Sequence, residues 1–351
     1  LCISVGDRPN TAYAEGDNSL EREWKSALYT YVNQYNRCEI DYRPQTSERI
    51  VTDPAFVLDR GERMTRLDEW YRRRRAVPLR SETSAKIVRT VTESPEESVV
   101  DVQLYSRLFY EKSGMTHRED RIERERLTFL RQNGAWTITR VEREVPERRP
   151  PGASRPFQQA DFVQAMNRPL LNHDVLRQGR SSRQQLYRRD LAVAYADRWW
   201  NTGNPAFEEF EVDCTNYVSQ CLFAGEAPIH YTGRREAGWW YKGYVNGTEM
   251  WSYSWAVSNS LERYLSSSIW GLTATVVERP EQLMLGDVIL YDWDGDGRFQ
   301  HSTVVTAFDA GGMPLVNAHT VSSRHRYWDY QDSYAWTERT VYRLFHIADE
   351  F

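Results

Sequence analysis

The stretch EVDCTNYVSQCLFAG, from Glu211 to Gly225, holds the cysteine best placed to act as a nucleophile. Asp213 is a good helix N-cap, which predicts Cys214 at the first helical position. Tyr217, Val218, Cys221 and Leu222 follow as an apolar stripe, and Gly225 ends the helix. A thiol at that position feels free amide N–H groups and the positive end of the helix dipole, and both favour thiolate over thiol. Cys221 follows two turns later, about 10 Å of helical rise, beyond the roughly 7 Å limit between Cα atoms in a disulfide. It reads as a buried helix residue.

A nucleophile needs a base, and the base needs an orienting group. The segment from Leu285 to Thr320 reads LGDVILYDWDGDGRFQHSTVVTAFDAGGMPLVNAHT. Val288 to Tyr291 predicts a strand, DWDGDGR a tight turn, His301 to Ala307 the return strand, and Leu315 to Ala318 a third strand. His301 opens one strand of this meander and Asn317 lies on the next. Adjacent antiparallel strands bring such side chains within reach if they share a face. A cysteine on a helix with a histidine and a polar residue on neighbouring strands is a cysteine-hydrolase constellation.

DCTNYV resembles the DCSG-V nucleophile motif of NlpC-type and CHAP-type members of the papain-like superfamily. GDVILY followed by HSTVV resembles their GD-aromatic and histidine strands. With YADRWW, WSYSWAVSN and NAHTVSSRHRYW in consistent order, the stretch from Tyr187 to Phe351 is similar to an amidase-domain family of that clan. The resemblance implies a papain-like fold in which the nucleophile helix packs on an antiparallel sheet. It matches Cys214 to the nucleophile, His301 to the base and Asn317 to the orienting residue. NlpC-type enzymes often carry histidine at the third place, so His319, two positions later on the same strand face, is the alternative. It implies hydrolysis of a peptide or amide bond, with bacterial cell-wall peptidoglycan as the partner substrate and no cofactor; an extracellular or envelope location is expected, with cytoplasmic as the alternative.

The backbone N–H of Cys214 is a natural oxyanion donor, because helix N-termini present free amides. A second donor is expected just upstream, among Tyr195, Asn201 and Asn204, with Asn204 preferred.

Rival chemistries read less well. Asp292, Asp294, Asp296 and Gly297 match the first half of a calcium loop, but Thr303 stands where the bidentate glutamate belongs. A solvated Asp-Gly hairpin turn is expected, with calcium as the lesser reading. His301, His319 and His325 lack zinc-ligand spacing, and HExxH is absent. The tryptophans of WWYKGY (from Trp239) and WSYSW (from Trp251) allow a non-catalytic alternative, a carbohydrate- or peptide-binding module. WSYSWAVSNSLERYL also fits one amphipathic helix with Trp251, Trp255, Asn259 and Leu261 toward one face, which favours core packing.

These residues need a scaffold. The chain has 351 residues, enough for two domains, and is α+β in pattern. Residues 1–145 predict helices over Ser19–Asn33 and Leu58–Arg75. Strands follow over Ala85–Val91, Ser98–Glu111 and Asp120–Gln132, with a hairpin turning at Asn133-Gly134. This helix-plus-meander order resembles the cone-shaped folds related to nuclear transport factor two. Residues 146–186 read as a linker and connecting helix, since Arg143 to Phe157 holds four prolines. Ten of the thirteen tryptophans fall from Trp199 to Trp336, so the second half is chemically distinct. Arg72 to Arg75 reads as a solvated helix face, and a net charge of −5 gives no field to attract nucleic acid. No apolar run approaches the ~18–20 residues of a membrane span. Four cysteines without CxxC pairing make neither a disulfide framework nor a zinc site. The sequence opens LCISVGDRPN without methionine, which predicts a removed native start and is compatible with a lost signal peptide.

Overall fold

The computed structural model describes residues 2–3, 19–41, 50–148, 185–245 and 248–351, and divides into two units, Leu1–Glu144 and Val145–Phe351. Both are α+β with antiparallel strand pairing. The first runs β1 (Cys2–Ile3), α1 (Ser19–Asp41), α2 (Pro54–Arg74), β2 (Ala76–Glu93), β3 (Glu97–Lys112), β4 (Met115–Gln132) and β5 (Ala135–Arg143). Trp24, Leu28, Tyr31 and Tyr35 recur at helical spacing on α1 and pack on alternate residues of the sheet, including Val100, Val102, Leu104, Leu127 and Phe129. Each large side chain buried this way contributes roughly 1.5–3 kcal/mol.

α2 begins at Pro54, ahead of the expected Leu58. The Asp53 carboxylate accepts the N–H groups of Ala55 (3.1 Å) and Phe56 (3.3 Å), and Pro54 takes the first turn. At its other end the arginine run is only partly solvated. Arg72 and Arg73 are exposed, but Arg74 is buried with its guanidinium 4.2 Å from the Trp70 ring and 4.9 Å from that of Tyr110. Asn133 and Gly134 turn the last hairpin with φ of 51° and 79°, as their residue types predict.

Most of the expected linker and connecting helix, 146–186, lies outside the described residues. Pro146–Arg148 form a 3-10 turn belonging to the second unit, where the Glu147 carbonyl accepts from Trp293 Nε1 (3.0 Å) and Arg148 donates to the carbonyl of Ala335 (2.7 Å).

The second unit continues with α3 (Arg189–Trp199), α4 (Cys214–Ala224), β6 (Tyr241–Val245), β7 (Thr248–Trp251), α5 (Tyr253–Ala256) and α6 (Ser258–Ser267). Then come β8 (Ala274–Val277), β9 (Val288–Asp292), β10 (His301–Phe308), β11 (Pro314–Ala318), β12 (Ser323–Tyr327) and β13 (Val341–Ile347). Six of these strands form an antiparallel sheet in the order β12-β11-β10-β9-β13-β8, while β6 and β7 make a separate hairpin.

Strand alternation divides the sheet's side chains between two cores. Val288, Leu290, Val304 and Phe345 pack with Tyr217, Val218, Cys221 and Leu222 of α4. Ile289, Tyr291, Val305 and Val316 face the other way, with Trp293 and Tyr330. Gly225 ends α4 at φ −76°, so handedness does not demand glycine there. Close approach does, because a Cβ would lie 2.5 Å from the Tyr187 ring.

The single helix expected over WSYSWAVSNSLERYL is two, α5 and α6, separated at Val257, whose φ −126° and ψ 117° are extended. Trp251 belongs to β7 instead.

Candidate functional site

α4 begins at Cys214, as its sequence predicts, but its N-terminus is capped differently. The Asp213 side chain makes no cap hydrogen bond. Its Oδ1 accepts from the Phe210 N–H (3.1 Å) and Asn216 Nδ2 (2.8 Å), and its Oδ2 accepts from His319 Nδ1 (2.8 Å). The cap comes from far along the chain. Thr320 Oγ1 accepts the backbone N–H groups of both Asp213 and Cys214, each at 3.1 Å. The Cys214 amide expected as an oxyanion donor is therefore occupied. Thr320 holds φ at 80°, and such a conformation in a β-branched residue costs on the order of 1–3 kcal/mol.

The Cys214 thiol is 1% exposed. Sγ lies 3.7 Å from Ser258 Oγ, 3.8 Å from Thr215 Oγ1 and 3.9 Å from the carbonyl of Gln300. Thr215 Oγ1 also meets Ser258 Oγ (2.7 Å) and Ser302 Oγ (3.0 Å), so hydroxyls surround the start of the helix. Cys221, two turns further along α4, is a free thiol that burial pushes well above its ordinary pKa.

His301 and Asn317 do not meet. Asn317 pairs with Val304 across β10 and β11, three residues from His301, and an odd separation on a strand puts side chains on opposite faces. His301 pairs with Tyr291 and shares its face, away from α4, while Ser302 points at Thr215. The imidazole is fully buried, with ring centroids of Tyr330, Tyr291 and Trp293 at 5.4, 5.5 and 5.8 Å. Among the described residues neither ring nitrogen has a hydrogen-bond partner. Burial lowers its pKa to about 4; Glu147 opposes that shift and Arg326 reinforces it.

Asn317 faces the helices. Its Nδ2 donates to Asp197 Oδ1 (3.0 Å), and its Oδ1 accepts from Thr306 Oγ1 (2.8 Å) and the N–H of His325 (2.9 Å). Burial alone would raise Asp197, but hydrogen bonds from His325, Arg324 and Asn317 hold it well below the usual carboxylate range. Asn317 orients Asp197 and the 325 backbone, not an imidazole of His301.

His319 is the histidine on the cysteine's side. It follows β11 in a turn, stacks on Tyr217 of α4 with centroids 4.0 Å apart, and donates from Nδ1 to Asp213 and from Nε2 to the Trp199 carbonyl (2.6 Å). Asn204, the preferred second oxyanion donor, is held by its own neighbours. Its Nδ2 donates to Tyr195 OH (2.8 Å), and its Oδ1 caps its own loop at the Ala206 N–H (3.0 Å).

The aspartate turn folds around one carboxylate. Asp292 Oδ1 accepts the N–H groups of Asp294, Gly295 and Asp296, and Oδ2 accepts that of Gly297 (2.7 Å). Four amides converge where a calcium ion would need oxygen lone pairs. Asp294 pairs with Arg148 (3.1 Å), and Asp296 accepts from the Arg298 N–H. Among the described residues no group of three or more His, Cys, Asp or Glu could hold a metal ion. Asp292→Ala is expected to lower stability by about 2–4 kcal/mol through its orphaned amides, and Asp296→Ala by far less. EDTA should leave the thermal midpoint of the wild type unchanged; a drop reversed by calcium would restore the metal reading.

The motif tryptophans pack mostly in the core, with Trp251 half-buried. Trp239, Trp240 and Trp255 are fully buried, with the Trp239 and Trp255 ring centroids 4.9 Å apart. Trp255 Nε1 donates to Asn216 Oδ1 (2.8 Å), which fixes the residue two places after the thiol. Sequence reasoning missed Ser258, Ser302 and Thr320. Thr320 alone left a usable signal, since it follows His319 directly.

No solved structure matches this chain. Over 164 residues it is 52% identical to "Uncharacterized protein YhbB" of Bacillus subtilis (strain 168), covering 47% of this chain and 51% of that protein. The chain thus spans about half the length of the curated relative it matches. The second unit carries, at residues 186–344, a match to the family described as "Putative amidase domain".

Proposed function

We propose that the second unit hydrolyses an amide bond by acyl transfer through Cys214, in the manner of papain-like cysteine hydrolases. The observation that carries this reading is the thiol at the first position of α4 with the Asp213–His319 pair at the same helix end. Sγ attacks the carbonyl carbon and its proton passes to a histidine. The histidine returns that proton to the leaving nitrogen as the C–N bond breaks. Water then adds to the thioester, giving up its proton to the histidine. The C–S bond breaks, the acid departs, and the thiol regains its proton.

His319 takes the histidine role in this scheme. Asp213 orients its ring through Nδ1, so Nε2 must leave the Trp199 carbonyl and release to solvent the proton it donates there before it can accept the thiol proton. One observation favours a second reading with His301 as base: among the described residues its nitrogens have no partner, and burial favours its neutral form. That role requires the start of β10 to turn its side chain toward α4.

The motifs around Cys214 and His301 resemble those of cell-wall hydrolases, which makes peptide or amide bonds of bacterial peptidoglycan the first substrate to test. Mass spectrometry of muropeptides incubated with wild type or Cys214→Ala decides it. Fragment pairs whose masses sum to the substrate plus one water, formed by the wild type alone, support the reading. Identical products from both proteins would sink the cysteine mechanism.

A further inference from the structure

We propose that Thr320 is a positioning residue for Cys214: its hydroxyl fixes the backbone of the nucleophile from a turn more than a hundred residues downstream. This rests on Cys214 being the nucleophile. Three observations converge on it. Thr320 Oγ1 accepts the amides of Asp213 and Cys214, both at 3.1 Å. The carboxylate expected to cap this helix is turned away, bound to Phe210, Asn216 and His319. Thr320 also holds a φ of 80° that a β-branched residue adopts only when its surroundings impose it.

The turn itself is anchored. His319, next in the chain, stacks on Tyr217 and is gripped by Asp213. Asp213 thus touches the turn twice, by its carboxylate at His319 and by its amide at Thr320. Any movement of the turn is transmitted to the residue that begins α4 and carries the thiol. Placement of the attacking atom is a steep determinant of rate, so a small loosening here lowers turnover rather than binding.

The test compares Thr320→Val, which keeps the shape and removes the acceptor, with Thr320→Ser, which keeps the hydroxyl. Soluble peptidoglycan fragments give kcat and KM, and brief iodoacetamide treatment with peptide mapping gives the alkylation rate of each cysteine. Thr320→Val is expected to lower kcat by about tenfold or more, with KM little changed. It should also speed alkylation of Cys214, now less firmly held in its buried site, while Cys221 stays protected. Thr320→Ser should restore both values. Unchanged kcat and labelling in Thr320→Val would overturn the proposal. So would parallel gains at Cys214 and Cys221, which signal general loosening, or failure of serine to restore. The labelling arm needs no substrate, so it tests Thr320 even if Cys214→Ala proves fully active and the nucleophile reading fails.

Discussion

Cys214→Ala should lower kcat/KM for amide cleavage by about a thousandfold or more, because removing the atom that forms the covalent intermediate leaves only binding and polar stabilisation. The substitution is mild for the fold. It removes one sulfur whose polar contacts are all 3.7 Å or longer, so circular dichroism and the melting temperature should barely move. In the same assay His319→Ala is expected to cost roughly a hundred- to ten-thousandfold, the scale of a lost acid–base group. Asn317→Ala should cost less, since its contacts run to Asp197, Thr306 and the 325 amide rather than to the thiol. A larger loss at Asn317 than at His319, in variants shown to be folded, would reverse this order.

The second large effect is on stability in acid. His301 is fully buried and its pKa is lowered to about 4 from an ordinary 6.5. A group whose folded value is depressed contributes stability that is complete above its unfolded value and is lost as pH falls through the window between the two. Over that window the loss is about 3 kcal/mol, at 1.36 kcal/mol per unit. Urea unfolding between pH about 7 and 4 should show this loss in the wild type, and a shallower one in His301→Phe, which fills the aromatic box with a ring that does not titrate. Equal slopes in the two proteins would mean that the imidazole is not held neutral. The same variant separates the histidines: with His319 in the catalytic role it keeps turnover within a few-fold, whereas a base at His301 would be lost outright.

Much of this was legible from residue types. The β9–β10–β11 meander and the Asn133-Gly134 turn follow from alternation and turn chemistry, and α4 opens at Cys214 as expected although the Asp213 cap does not form. The face of His301 did not follow, because alternation gives relative parity along one strand, while the register between strands is set by the turn at 292–300 and by the bulge between Val305 and Ala307. Asp213 misled for a related reason. A carboxylate at an N-cap position has a local partner by default, but here a stacked histidine and an asparagine side chain compete for it. The tryptophan motifs were ambiguous because a core and a binding face use the same residue types.

The 3-10 turn at Pro146–Arg148 bears on where this domain can be cut. Similarity sets the border at residue 186, but Glu147 is 3% exposed inside the second unit. Its carbonyl meets the Trp293 indole and its carboxylate accepts from Ser333 (3.1 Å) and lies 3.5 Å from Arg326. A recombinant fragment begun at 186 would strip those partners from buried groups. An expression unit for crystallography or screening therefore starts no later than Val145, with the 3-10 turn kept.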